Sequence, residues 1–394
     1  MRLYWCCRHI LKRLMIIEKG LKTTMERNTT APFYHINTTD VSHANGSLYD
    51  EYAELRKSLK IMSLVVYCLA FVLGVLGNGV VIWVAGFKMK KTVNTVWFLN
   101  LAVAGFLFTA FLPLIVTYTA LNFHWPFGKF MCKLVTTINF LNFYASVYIL
   151  MVISVDRCVS VVWPVWAKNH RSVRKASCVS LGVWVLALIL STPYFIFRDT
   201  KPSSNNDEII NCLTNYALSD DDETLSVNQL QQHRNKAITI THFLLGFLVP
   251  FTVIVSCYAV IIHRIRRNRT LASKSSRPFK IIAAVITTFF LCWAPIHIMD
   301  LIAMVNSRST YPGETLHLVT TIGYSLATSL AFLNSGLNPL LYVFMGQDFK
   351  DRVHKSILKV LENAFQEDVS RSHTCKKSTV ISRSKDKLVS DALV

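Results

Sequence analysis

Seven runs of apolar residues, at 61–86, 93–120, 130–155, 173–197, 237–263, 281–304 and 316–344, recur along the chain with short polar segments between them. Each is longer than the ~20 residues an α-helix needs to cross ~30 Å of hydrocarbon. The pattern predicts an all-α membrane protein, a bundle of seven transmembrane helices, and no other segment is large enough to make a soluble domain. The chain then divides into an extracellular tail (1–60), the seven-helix domain (61–344), a helix lying on the membrane surface (345–366) and a cytoplasmic tail (367–394). In the surface helix Phe349, Val353, Ile357, Val360, Leu361 and Phe365 recur at helical spacing, with Lys350, Arg352, Lys355 and Lys359 on other faces.

Composition strengthens this picture, because 52% of the 394 residues are hydrophobic and only 16% are charged, too apolar for an ordinary soluble protein. The net charge of +19 would suit nucleic acid, but the basic residues cluster in alternate loops. Lys88, Lys90 and Lys91 follow the first span. Lys168, Arg171, Arg174 and Lys175 follow the third. Arg264, Arg266, Arg267, Arg269, Lys274, Arg277 and Lys280 follow the fifth. Such loops lie in the cytoplasm, which places the amino terminus outside and the carboxyl terminus inside. Asn28, Asn37 and Asn45 open glycosylation sequons on the outer tail, a polar segment expected to be disordered. The basic first 24 residues oppose this orientation and contain no clean signal peptide, so Met25 is an alternative start.

Away from their ends the seven runs contain no Asp, Glu, Lys or Arg; Lys133 opens the third, Arg174 and Lys175 open the fourth, Asp156-Arg157 close the third and Asp300 lies near the outer end of the sixth. Proton pumping and cation coupling need buried charges, and the chain carries no His-Glu-X-X-His, Gly-X-Ser-X-Gly or phosphate-loop motif. The expectation is a protein that is not an enzyme and uses no cofactor or metal. Cys68, Cys158, Cys178, Cys257 and Cys292 fall within or at the ends of spans as small hydrophobes, but Cys132 and Cys212 both lie on the oxidising side. A bridge between them would pin the loop after the fourth span over the bundle.

Short motifs then fall in order on the right spans. They are Gly77-Asn78, Cys132, Asp156-Arg157-Cys158, Trp184, Pro250 with Tyr258, Cys292-Trp293-Ala294-Pro295 and Asn338-Pro339-Leu340-Leu341-Tyr342. Over about 61–365 the chain resembles a rhodopsin-type G-protein-coupled receptor. Cys132 and Asp156 are 24 positions apart, about 36 Å of helix, which fits a crossing. The resemblance implies that Asp156 holds Arg157 at rest and releases it to the G protein. It also implies that Trp293 senses ligand, that Asn338, Pro339 and Tyr342 loosen the seventh span, and that Tyr258 serves the active arrangement. Pro295 removes a backbone hydrogen bond and is expected to kink the sixth helix.

Loop strings such as 87–94, 169–174, 197–200, 277–282 and 342–350 are closest to the chemerin receptor-like group of the chemoattractant branch. That similarity implies a chemoattractant peptide, protein or lipid mediator outside, and inhibitory G proteins and arrestin inside. Ser370, Ser372, Thr374, Ser378, Thr379, Ser382 and Ser384 offer phosphorylation sites for arrestin recruitment. Formyl-peptide, complement anaphylatoxin and prostaglandin receptors are near alternatives. Phe332 stands where retinal binders need lysine and Asn139 where amine receptors need aspartate. His242 replaces an arginine of the chemerin-type pattern, and Trp293, His297 and Asp300 share one helix face. Asn139, His242, His297 and Asp300 are therefore the expected pocket residues. Gly105 stands where the family carries the sodium-binding aspartate, leaving Asn78, Asn142, Ser146 and Asn334 as a degenerate site. This loss favours a second reading, a scavenging or arrestin-biased receptor.

Overall fold

The computed structural model describes residues 41–203, 206–217, 225–267, 269–306 and 314–345. Two compact units divide the chain, 1–56 and 57–394; within the described residues the first consists of the start of one helix, and the second is the bundle. The helices are Val41–Trp83, Val93–Ala120, Gly128–Val162, the short Pro164–His170, Val173–Ile196, Leu225–Phe243 running into Val249–Arg267, Arg269–Asn306 and Glu314–Met345. Six stretches among the described residues are long and apolar enough to cross a membrane, and Glu314–Met345 supplies the seventh span. The surface helix at 345–366, the tail at 367–394 with its hydroxyl sites, and Asn28 and Asn37 lie outside the described residues.

The first helix begins at Val41, well before the apolar run, which corrects the expectation of a disordered tail to residue 60. Glu51 to Lys60 contains good helix formers and no proline, so the membrane helix extends outward through them. Asn45 falls on this helix. The second helix starts where Thr92 and Thr95 form a reciprocal capping box: Thr95 N–H donates to Thr92 Oγ1 at 3.2 Å and Thr92 N–H to Thr95 Oγ1 at 2.7 Å. On the fourth span Leu181, Val185, Leu188 and Ile189 are exposed at helical spacing, an apolar stripe that only lipid would cover.

The fifth span is interrupted by a π-turn at Leu244–Leu248, where Val249 N–H reaches back to the Leu244 carbonyl. In that register the Leu245 carbonyl would accept from residue 250, but Pro250 has no N–H. The Tyr148 hydroxyl donates to it instead, at 3.0 Å. A polar side chain from the third span thus satisfies the carbonyl that the proline leaves open. The sixth span is helical straight through Pro295.

The outer loop after the fourth span departs from all-α structure. Strands β1 (Arg198–Ser203) and β2 (Asn206–Thr214) pair antiparallel, with Thr200 opposite Cys212. Cys212 is bonded to Cys132, with Cα atoms 5.8 Å apart, so the hairpin is tied to the head of the third span. Trp125 N–H donates to the Ile210 carbonyl at 2.7 Å, and Lys129 pairs with Asp199 at 2.8 Å.

Candidate functional site

Beneath the hairpin lies a cavity of about 250 Å³. The third span contributes Thr136 and Phe140, the fourth Tyr194, the hairpin segment Arg198 and Tyr216, the fifth Asn235, Thr239 and His242, the sixth Asp300 and the seventh Tyr324. Phe140 and Tyr194 stack at 3.3 Å between centroids. Arg198 is fixed by its own hairpin: it donates to the Cys212 carbonyl and to Thr214 Oγ1, both at 2.9 Å, while burial lowers its pKa. Burial pushes the Asp199 carboxyl up, but hydrogen bonds from Lys129 and from the Thr200 N–H outweigh this and bring it below its ordinary value. The roof therefore keeps its ion pair at neutral pH.

Of the four expected pocket residues, His242 and Asp300 line the cavity and His297 lies against His242, with ring centroids 4.6 Å apart. Asn139 is not among the lining residues, and its buried Oδ1 has no hydrogen-bond partner. The sequence reading missed Arg198, Tyr194, Tyr216 and Tyr324, whose convergence needs the hairpin and two separate spans. From His242 and His297 a run of rings continues inward. Phe143 lies 4.9 Å from His242, 5.5 Å from His297 and 4.4 Å from Trp293. Trp293 is buried in the main core, and its indole N–H has no partner. Phe332 packs on Tyr67 and Phe108 at 4.8 and 5.1 Å, closing the position where retinal would attach.

At mid-depth, Asn78 Nδ2 donates to the carbonyls of Gly74 and Ser335 at 2.8 and 3.0 Å. Asn142 Nδ2 donates to Ser335 Oγ at 3.3 Å, and Ser146 Oγ lies 3.5 Å from Asn142 Oδ1. The Oδ1 atoms of Asn78, Asn334 and Asn338 are buried without partners. A Cβ at Gly105 would stand 2.9 to 3.1 Å from the amide of Asn78, so the asparagine has taken the room that a larger residue would need. Gly77 is equally confined: a Cβ there would approach Pro339 to 2.8 Å, which brings the first span against the proline of the seventh.

The inner end corrects one expectation. Asp156 is held by Arg171, not by Arg157: Arg171 Nε and Nη2 donate to its two oxygens, both at 2.8 Å. Arg157 instead donates to Asn94 Oδ1, which Arg171 Nη2 also reaches at 2.6 Å. Neighbouring helical residues point about 100° apart, so Asp156 faces the loop, where a planar guanidinium binds it with two parallel bonds. Tyr258 presents a buried hydroxyl without a partner. The side chain of Tyr342 lies outside the described residues.

The Arg171–Asp156 pair gives a first prediction. Its side chains are only 29% and 14% exposed, so Arg171→Ala should leave a half-buried carboxylate and cost about 1–3 kcal/mol. The unfolding temperature of the purified protein should drop, and the Asp156→Asn change should recover part of the loss in the double variant. Strictly additive losses would show that the pair contributes nothing.

Comparison with known proteins agrees with this arrangement. Residues 77–342 match the family model described as 7 transmembrane receptor (rhodopsin family). The chain is similar to human Chemerin-like receptor 1, with 46% identity over 318 residues, covering 79% of this chain and 82% of that protein. It is 44% identical over 317 residues to the C3a anaphylatoxin chemotactic receptor of Danio rerio, covering 80% and 81%. It is 41% identical over 321 residues to N-formyl peptide receptor 3 of Pan troglodytes, covering 80% and 90%.

Proposed function

Since the chain belongs to the seven-transmembrane receptor family of the rhodopsin type, in its chemoattractant group, we propose that it binds a chemoattractant of the chemerin type or a lipid mediator. It is a receptor and not an enzyme. Its ligand shifts a pre-existing equilibrium toward a state that exchanges nucleotide on inhibitory G proteins and recruits arrestin. The chain sits in the plasma membrane with its amino terminus outside, where Cys132 and Cys212 find the oxidising conditions their bridge needs.

The observation that carries this reading is the outer cavity whose floor joins Trp293 through Phe143. At about 250 Å³ it has room for a peptide terminus or a small lipid, not for a folded protein. A protein ligand would therefore insert one end and rest the remainder on the hairpin and tail. Glu208 is exposed on β2; Asp220, Asp221, Asp222 and Glu223, which would draw a basic ligand surface, lie outside the described residues. The test is suppression of cAMP and recruitment of arrestin in cells expressing the chain, against chemerin-type, complement and formyl peptides and lipid mediators. Arrestin recruitment without cAMP suppression would replace this reading with the scavenging or arrestin-biased one, which Gly105 favours.

Gly105 carries its own prediction. A cation among Asn78, Asn142, Ser146 and Asn334 has no formal countercharge, and asparagine oxygens alone hold sodium poorly in a low dielectric. A ligand that binds the folded state raises its stability. Exchanging sodium for a bulky organic cation at fixed ionic strength should therefore leave the unfolding temperature unchanged. Gly105→Asp should introduce a sodium dependence once Asn78 swings aside. An equal sodium effect in both proteins would show that the neutral oxygens suffice.

A further inference from the structure

We propose that His242, His297 and Asp300 form a binding site for a divalent transition-metal ion of the zinc class, at the floor of the outer cavity. One ligand atom from each residue lies within 4.8 Å of the other two, and both histidines are buried. The sequence alone suggested no metal, because the residues come from two spans and match no metal-binding motif. His297 and Asp300 sit one turn apart on the sixth span, while His242 arrives from the fifth, just ahead of the π-turn.

The state of His297 points to a missing partner. Its ring is 1% exposed, yet neither Nδ1 nor Nε2 has a hydrogen-bond partner. A neutral imidazole buried in this way leaves both a donor and an acceptor unsatisfied, which costs free energy that ordinary packing does not return. A metal ion on one nitrogen would satisfy the acceptor, leaving only the N–H of the other nitrogen without a partner. Phe143 and Phe247 flank the ring at 5.5 and 4.9 Å and restrict it to a narrow range of orientations.

The other two residues are already oriented from behind, as metal ligands usually are. The Nδ1 of His242 lies 3.0 Å from the Tyr144 hydroxyl; when Nδ1–H donates to that oxygen, Nε2 is left with a free lone pair. Asp300 Oδ1 accepts from the Tyr324 hydroxyl at 3.0 Å, which leaves the second carboxylate oxygen available. Two imidazoles and one carboxylate make a donor set suited to zinc, with a fourth position open. Zinc bonds of about 2.0–2.2 Å place tetrahedral donors roughly 3.4 Å apart, so donors that now lie up to 4.8 Å apart must close in on the ion.

His242 and Asp300 both line the cavity, so a ligand there could reach the open position. With two neutral histidines and one carboxylate the loaded site has a net charge of +1, and Arg198 adds a second positive charge to the same cavity. The loaded site would thus take an anionic or chelating group of a ligand, a carboxylate, a thiolate or an imidazole, as its fourth donor. Ion binding itself does not rest on the receptor reading; only its effect on ligand does.

The test is a titration of the full chain in lipid nanodiscs, stripped with chelator, with Zn²⁺ in competition with a chromophoric chelator. One ion per chain is expected. His242→Ala, His297→Ala and Asp300→Asn should each weaken it by about 100-fold, while His170→Ala and His263→Ala leave it unchanged. Because removal of a core histidine can disturb folding, Co²⁺ is bound to the unaltered protein as a second measurement, where intense visible bands report four-coordinate geometry. Zinc affinity that survives all three substitutions in folded protein, or Co²⁺ that gives only the weak six-coordinate spectrum, would overturn the proposal. If cAMP suppression is absent while zinc binds as described, the receptor reading fails and the metal site stands.

Discussion

Cys132→Ser or Cys212→Ser is expected to remove most surface expression and ligand binding. The bridge closes a loop with a sequence separation of 80, and in the chain-entropy model such a link contributes about 4–5 kcal/mol. Set against a net folding stability of about 5–15 kcal/mol, that loss is large. It also falls where the cavity is built, since the Cys212 carbonyl accepts from Arg198 and the hairpin carries Tyr216 over the pocket. Trp125, Val135 and both cysteines form a small core of their own, so the damage should concentrate at the outer end. Counting surface receptors with an amino-terminal tag, alongside unfolding temperature, measures it. Single variants at normal surface level, or mass mapping that finds both thiols free in the mature protein, would contradict the prediction; the double variant should be no worse than either single one.

Arg157→Ala should abolish nucleotide exchange while ligand binding changes little. Arg157 is half-buried at the inner end of the third span, 25 residues and about 38 Å of helix from the disulfide. Truncating a hydrogen-bonded charge at a docking surface costs about 2–5 kcal/mol, a loss of roughly 30-fold or more in productive coupling. Because Asp156 is already engaged by Arg171, Arg157 has, among the described residues, only its bond to Asn94 Oδ1 to give up before meeting a partner. Full G-protein signalling by Arg157→Ala at normal surface density would contradict the role assigned to it.

The spans were legible because lipid imposes length and apolarity on each segment separately: the second helix runs over 93–120 as its hydropathy predicts. The shared face of Trp293, His297 and Asp300 was legible for the same local reason. What the sequence hid depends on contacts between distant segments. Pro250 announced a break in the fifth span, but the π-turn that rephases the helix needs the Tyr148 hydroxyl to satisfy Leu245. The polar strands of the hairpin carry no alternating apolar pattern, and their order comes from Cys132 and Trp125. Asp156 and Arg157 look like a natural pair on paper, yet Arg171, further along the chain, has the better geometry. The meeting of His242 with His297 likewise requires two spans to be set at one depth and rotation.

The central claim is that ligand entering the outer cavity drives nucleotide exchange at the inner face. The most direct measurement is the exchange rate of a purified inhibitory-class G protein mixed with the full chain in nanodiscs, with and without chemerin-type, complement and formyl peptides. The account predicts that at least one of them accelerates exchange, that Arg157→Ala eliminates the acceleration and that Cys212→Ser eliminates the binding. A peptide that saturates the receptor and recruits arrestin without any change in exchange would contradict it.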